Sequence, residues 1–250
     1  MTSLVDLPRW LAPIGEFHLV RLGRDRDGGY LVDSRDVADA EVLVSLGVND
    51  DWSFEADFVS HNAVPVHAFD GTIDQKILGK RLIKSVLSGQ DVKHRFSAWR
   101  DYGKFFSGSR SHHKKMVGLE GTQGFLSMQE IFDGYANENA FLKIDIEGWE
   151  YRVLDSIVKN AHRLTGLVIE FHNVDLHGRV LKEFVDSLPL RIAHVHRNTY
   201  APVSDGGVPL VLEVSFSAQQ PISVRTVQLP HPLDKPSSPD HEQSGFRLVD

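Results

Sequence analysis

The 250-residue chain contains no cysteine. That excludes a disulfide framework, a cysteine nucleophile and every thiolate metal site, leaving Asp, Glu, Asn and His as the available ligands. It has no basic surplus either: 27 Lys and Arg stand against 34 Asp and Glu, a formal charge of −7, which offers no footprint for nucleic acid. The stretch from Met1 to Gly15 is broken by proline, and no apolar run is long enough for a signal peptide or a membrane span, so the cytoplasm is the expected compartment. Internal repeats are lacking, and low complexity is confined to the Pro- and Ser-rich stretch from Pro230 to Pro239, which reads as an extended strap or a disordered end. Two phosphate-binding signatures are also missing, the three-glycine dinucleotide turn and the glycine-rich loop that ends in Lys-Ser/Thr.

What is present is enough apolar residue, 41%, to bury one large core. The expected organisation is a single domain, with an N-terminal extension and hairpin over 1–40, a core over 41–218 and a tail over 219–250. Short apolar runs at Val42–Val48, Val64–Phe69, Phe141–Ile146 and Leu167–Phe171 read as buried strands. Helical spacing follows at Trp52–His61, Ile73–Ser88, Gly148–Asn160 and Asp175–Ser187. Alternation of this kind predicts an α/β fold with a mostly parallel sheet and helices on both faces. Arg191–Arg197 and Leu210–Ser217, joined by the turn-rich segment Thr199–Pro209, predict a C-terminal antiparallel hairpin. A further hairpin is expected around Asp27-Gly28-Gly29-Tyr30, and His112 to Lys115 reads as a solvated loop.

In an open α/β sheet a ligand lies beyond the carboxyl ends of the strands. The first such end is Ser45-Leu46-Gly47-Val48-Asn49-Asp50-Asp51, where Gly47 lets a ligand approach the backbone and Asp50 and Asp51 suit an ammonium group better than a phosphate. A helix cap is the alternative reading of the same residues. The second strand ends at Asp70-Gly71, about 20 residues later, where one carboxylate can take both hydroxyls of a ribose. An Asx turn would place an aspartate there equally well. Gly47, Asn49, Asp51, Asp70, Gly71 and Asp145 are the expected cofactor-binding residues.

The segment Lys143-Ile144-Asp145-Ile146-Glu147 puts three ionisable groups on one face of a strand that should be buried, which is costly unless they pair or bind something. Either Lys143 and Asp145 neutralise each other, or Asp145 faces a cofactor or acceptor. Glu170 and His172 repeat the pattern on the next strand, with Asn173 beyond them. They fit a general base, a divalent-ion site formed with Asp145, or a satisfied buried pair. His194, His196 and Asn198 share a face of the first hairpin strand, expected beside the Glu170 strand, with Glu213 opposite as a partner for one histidine. Asp145, His172 and His196 are the expected catalytic residues.

The runs Asp27-Gly28-Gly29-Tyr30, Ser45-Leu46-Gly47, Asp51-Trp52-Ser53-Phe54-Glu55, Phe69-Asp70, Leu142-Lys143-Ile144-Asp145-Ile146-Glu147-Gly148 and His196-x-Asn198 together resemble the FkbM-type S-adenosylmethionine-dependent methyltransferases across most of the chain. The resemblance implies a Rossmann-like seven-stranded sheet, S-adenosylmethionine as cofactor, and O-methylation of a sugar, glycan or natural-product hydroxyl, with Mg2+ or another divalent ion as an optional helper. The first-strand turn departs from the acidic-x-Gly-x-Gly form by having Ser45 and Asn49. Two rivals remain: a metal-dependent hydrolase built on Asp145, Glu170, His172 and His196, and a protein that binds the adenosyl cofactor without chemistry.

Overall fold

The computed structural model describes residues 4–118, 124–225 and 227–250. Its strands are β1 (Leu4–Pro8), β2 (Leu19–Leu22), β3 (Tyr30–Asp33), β4 (Val42–Leu46), β5 (Val66–Phe69), β6 (Arg110–His113), β7 (Met116–Gly118), β8 (Phe125–Ser127), β9 (Ala140–Ile144), β10 (Leu164–His172), β11 (Arg191–Arg197), β12 (Val211–Ser217) and β13 (Gly245–Val249). The helices are α1 (Ser34–Asp39), α2 (Ser53–His61), α3 (Gln75–Ser88), α4 (Val92–Phe105), α5 (Met128–Tyr135), α6 (Leu154–Asn160) and α7 (Val174–Ser187).

Seven strands form the central sheet in the order β11-β12-β10-β9-β4-β5-β6. The ladders β10–β9, β9–β4, β4–β5 and β5–β6 are parallel, and β12 is antiparallel to both of its neighbours. This is the mostly parallel sheet expected from the strand–helix alternation, with the seven strands and Rossmann-like form that the resemblance implies. The strand order reverses between β4 and β9, so their carboxyl ends diverge into a crevice.

Side-chain alternation sends Val44, Leu142 and Ile169 to one face, where they pack with Phe132 of α5, Ile157 of α6 and Phe184 of α7. Leu43, Phe141 and Val168 go to the other, against Val37 of α1, Phe54 and Phe58 of α2, and Leu22 and Tyr30 of the β2–β3 hairpin. Beyond them Ala68 and Trp52 meet Leu78 of α3 and Ala98 and Phe105 of α4. Each fully buried phenylalanine contributes about 1.5–3 kcal/mol by leaving water.

The structure corrects several expectations. The hairpin's second strand, β12, and not its first, lies beside β10; β11 is the edge strand. Because β12 is antiparallel to both of its neighbours, the turn-rich segment 198–210 joins β11 to β12 without a crossover helix, and β11 keeps the common direction of the sheet. His112 and His113 are half-buried in β6: the His113 ring stacks on Phe69 at 4.6 Å, and His112 meets the hydroxyl of Tyr102 at 2.6 Å. Residues 148–160 do not form one helix; a 3-10 turn at Glu150–Arg152 precedes α6. The tail is an ordered strap that buries Ser237, Ser238 and Ser244 and ends in β13, paired in parallel with β1. Among the described residues no helix is long and apolar enough to cross a membrane.

Candidate active site

A cavity of about 540 Å³ opens over the carboxyl ends of β4, β5 and β9. Gly47, Asn49, Asp51, Asp70, Gly71 and Asp145 all line it, together with Lys143, Met116, Val117 and Trp149. The backbone here is bent into the left-handed region at Gly47 (φ 77°), Asn49 (φ 43°), Glu147 (φ 55°) and Gly148 (φ 94°). Such conformations persist only where surrounding contacts enforce them. The Asp145 amide donates to the Leu46 carbonyl at 2.9 Å, which draws the chain after β9 against Gly47 so closely that a Cβ at Gly47 would overlap the Asp145 carbonyl oxygen. Lys143 is 5% exposed and donates from Nζ to the Gly47 carbonyl at 2.6 Å. Burial alone would lower its pKa, but the charges of Glu55, Asp145 and Glu170 outweigh that and hold it charged. Lys143 therefore binds the turn, while its charge offsets that of Asp145.

Asp70 ties the two strand ends together. Its Oδ2 accepts from the amides of Val48 (3.2 Å) and Asn49 (2.8 Å), and its Oδ1 from the amide (2.7 Å) and hydroxyl (2.6 Å) of Thr72. Those four donors use the acceptor capacity of the carboxylate, and of them only the Thr72 hydroxyl can rotate away to admit another donor. The neighbouring acids have partners already. Asp50 forms ion pairs with Arg95 and Arg81, and Asp51 with Arg24 at 2.8 Å. Asn49 accepts from Arg81 through its Oδ1 at 2.7 Å. Asp50 and Asp51 both line the cavity, and an incoming ammonium group would share them with the guanidinium groups of α3, α4 and the N-terminal hairpin.

On the side of the sheet that faces the β2–β3 hairpin, a polar row runs across four strands. Glu170 of β10 pairs in register with Glu213 of β12, which pairs with His196 of β11, while Asp145 follows β9 on the other side. Tyr30 donates to Glu170 Oε2 and Asn198 to Oε1, each at 2.9 Å, and Asn198 donates to Asp27 at the same distance. Burial raises the pKa of Glu170 well above the usual carboxylate range, and the charges of Asp145 and Asp27 add to it, against the opposing charge of His172. Glu213 is raised for the same first reason, burial, with Glu170 and Asp27 adding and Arg21 opposing. Asp145 is raised by burial against the charges of Lys143 and His172.

His172 is enclosed by acids: Glu150 at 3.1 Å from Nδ1, and Glu147 at 3.6 Å and Glu170 at 3.9 Å from Nε2. Burial would lower its pKa, but the hydrogen bond and charge of Glu150, with the charges of Glu170 and Asp145, lift it to about 9. One oxygen of Glu150 also accepts from the amides of Ile146 (3.2 Å) and Gly148 (3.0 Å), so a single buried carboxylate shapes the loop after β9 and orients the imidazole. Ligand atoms of Asp145, Glu170 and His172 lie within 4.8 Å of one another, as do those of Asp27, Glu170 and Glu213.

The structure thus brings Asp145, Glu170 and His172 together and leaves His196 outside them. His196 Nδ1 lies 3.2 Å from Asp234, and Glu213 is only its cross-strand neighbour. The alternation was legible and the strand order was not. Sequence reasoning also missed Glu150, whose only signal was an acid two residues after a glycine, and Tyr30, treated as a turn residue. Asp27 had no separable signal in a run of charges.

No family model and no curated protein matches the chain. Among solved structures, an rRNA methylase from Streptococcus thermophilus is similar, with 18% identity and a TM-score of 0.38, over 74% of this chain and 94% of that one. A precorrin-6y C5,15-methyltransferase from Geobacter metallireducens is similar with 11% identity and a TM-score of 0.40, over 74% of this chain and 86% of that one.

Proposed function

We propose that the protein is an S-adenosylmethionine-dependent O-methyltransferase of the FkbM type, acting on a hydroxyl of a sugar, glycan or natural product. The observation that carries this reading is the cavity at the strand-order reversal, walled by the Gly47 turn, Asp70 and Asp145, with no phosphate-cradling loop to favour a nucleotide pyrophosphate. Its volume, about 540 Å³, suits one nucleoside-sized ligand with room for a small acceptor. The net charge of −7 argues against a nucleic-acid acceptor.

In the bound state the cofactor supplies an electrophilic methyl group on a sulfonium. Gly47 and Asn49 would meet it with backbone, Asp70 with a carboxylate shared with Thr72, and Gly71, beside Met116, with a wall free of side chain. The chain's own part would be to align an acceptor oxygen with that methyl group. The acceptor proton must leave to a base at the end of β9 and β10, where Asp145 and His172 stand. A divalent ion on Asp145, Glu170 and His172 is an optional part of this reading, since one nitrogen and two carboxylates are a reasonable donor set. Chelation tests it: a loss of turnover that Mg2+ restores would support the ion and remove His172 as the free base, and full turnover after chelation removes the ion from the mechanism.

Calorimetric titration with S-adenosylhomocysteine tests the cofactor assignment. Micromolar binding is expected, weakened at least tenfold in Asp70→Ala, which loses both the ribose acceptor and the brace on the Val48 and Asn49 amides. A folded wild-type protein that does not bind would refute the proposal.

A further inference from the structure

The strap formed by the tail crosses the sheet edge at a second group of ligating side chains, which methyl transfer does not use. His194 and His196 project from β11 on one face, their rings nearly parallel and 6.5 Å apart between centroids. Asp234 comes down on them from the strap. Its Oδ1 lies 2.8 Å from His194 Nε2 and 3.2 Å from His196 Nδ1. All three side chains are 2–3% exposed. The other oxygen of Asp234 accepts the backbone amide of His231 at 2.7 Å, which fixes the direction of the carboxylate. Gln243, farther along the strap, sets its side-chain amide nitrogen 3.2 Å from the same His196 Nδ1.

Hydrogen bonding alone satisfies this group poorly. If His196 Nδ1 carries a proton for Asp234, it faces the NH2 of Gln243 donor to donor; if it carries none, it cannot donate to Asp234. Meanwhile Gln243 Oε1 is buried with no hydrogen-bond partner among the described residues. Buried polar atoms are seldom left so. Turning the amide about its last bond would bring Oε1 to the position of the nitrogen. Ligand atoms of His194, His196 and Asp234 lie within 4.8 Å of one another, and the turned amide would add an oxygen about 3.2 Å from His196 Nδ1. Donor atoms bound to a metal at about 2.0–2.2 Å stand roughly 3–3.5 Å apart, and the two carboxylate–imidazole separations, 2.8 and 3.2 Å, are close to that spacing.

We propose that His194, His196 and Asp234, with Gln243 as a fourth donor, form a binding site for a transition-metal dication of the Zn2+ class, whose occupancy fastens the C-terminal strap to the edge strand. Two imidazoles select such an ion over Mg2+ or Ca2+, which require oxygen ligands. The ion balances the carboxylate buried between the two rings. It also links the strap to the candidate active site: three residues after Asp234, the Ser237 carbonyl accepts the Asp27 amide at 3.3 Å, and Asp27 is held by Asn198, which also binds Glu170. The inference stands independently of the methyltransferase reading.

The full chain, stripped by chelator, is titrated with Zn2+ and separately with Co2+. One equivalent of Zn2+ is expected to bind with submicromolar affinity, weakened at least tenfold in Asp234→Asn and in His194→Gln and unchanged in His172→Gln. Hydrogen exchange across 231–249 is expected to slow when the metal is added. No binding at micromolar Zn2+, or binding lost in His172→Gln and kept in Asp234→Asn, would overturn the assignment. Should the strap variants fail to fold, X-ray absorption of the Zn2+-loaded wild type decides it: two imidazole ligands support the site, whereas one places the metal at the cluster of His172.

Discussion

Gly47→Ala is expected to abolish S-adenosylhomocysteine binding and to cost about 3 kcal/mol or more of stability, while Gly89→Ala costs only about 1 kcal/mol. Both glycines have left-handed backbone, φ 77° and φ 70°, so the conformational penalty of a side chain is similar in the two. They differ in surroundings. A Cβ at Gly89 would meet nothing within 4 Å, whereas at Gly47 it would overlap the Asp145 carbonyl. The loop after β9 cannot retreat easily, because the Asp145 amide is bound to Leu46, Lys143 is bound to the Gly47 carbonyl, and Glu150 holds the amides of Ile146 and Gly148. Relief of the overlap must therefore displace the wall of the cavity. Chemical denaturation of both variants, with the titration repeated, checks this. Equal losses of stability would mean that only the backbone conformation demands glycine at 47.

For the proposed methyl transfer, the rate is expected to rise about tenfold per pH unit from neutrality and to level off above pH 9, and His172→Gln to lose 10²–10⁴-fold in kcat together with that slope. The cause is the acidic enclosure of His172. With a pKa lifted to about 9, the ring is protonated at neutral pH and must lose that proton before it can accept one from the acceptor hydroxyl. A flat profile, or a variant with wild-type turnover, would remove His172 as the base and leave Asp145. Stability follows the same titration with a definite sign. The unfolded chain releases the His172 proton near pH 6.5 and the folded chain holds it to about 9, so the stabilisation, on the order of 2 kcal/mol, is complete below pH 6.5 and is lost as the pH rises through 9. Glu170, raised by burial, contributes with the same sign at lower pH. Thermal midpoints of wild type and His172→Gln between pH 6 and 10 are expected to converge at the alkaline end.

Much of the architecture was legible in the sequence because its signals are local. The buried runs at Val42–Leu46, Val66–Phe69 and Leu164–His172 and the helical spacing of α2, α3 and α7 depend only on which faces must be apolar, and they appear within a few residues of the expected limits. Helix α5 was missed although its capping box, Ser127 with Glu130, is a sequence pattern, because Ser-Met-Gln-Glu precedes only a short apolar stretch. Helix α4 was missed because Phe96 and Trp99 face outward and blur its periodicity. The termini carried no readable signal: β1 and β13 become strands only by pairing with each other across the length of the chain.

The sequence by itself determined that carboxylates, an imidazole and a lysine would stand at strand ends on a buried sheet, since a period of two fixes which side chains share a face. Which of them meet depends on strand order, and strand order depends on long-range pairing. Inserting β12 between β10 and β11 set Glu213 beside Glu170 and carried His196 one strand farther away, where the strap supplies Asp234. The ionisation of His172 was likewise decided by tertiary structure, because it arises from Glu150, Glu170 and Asp145, which approach the ring only after β9 and β10 have paired.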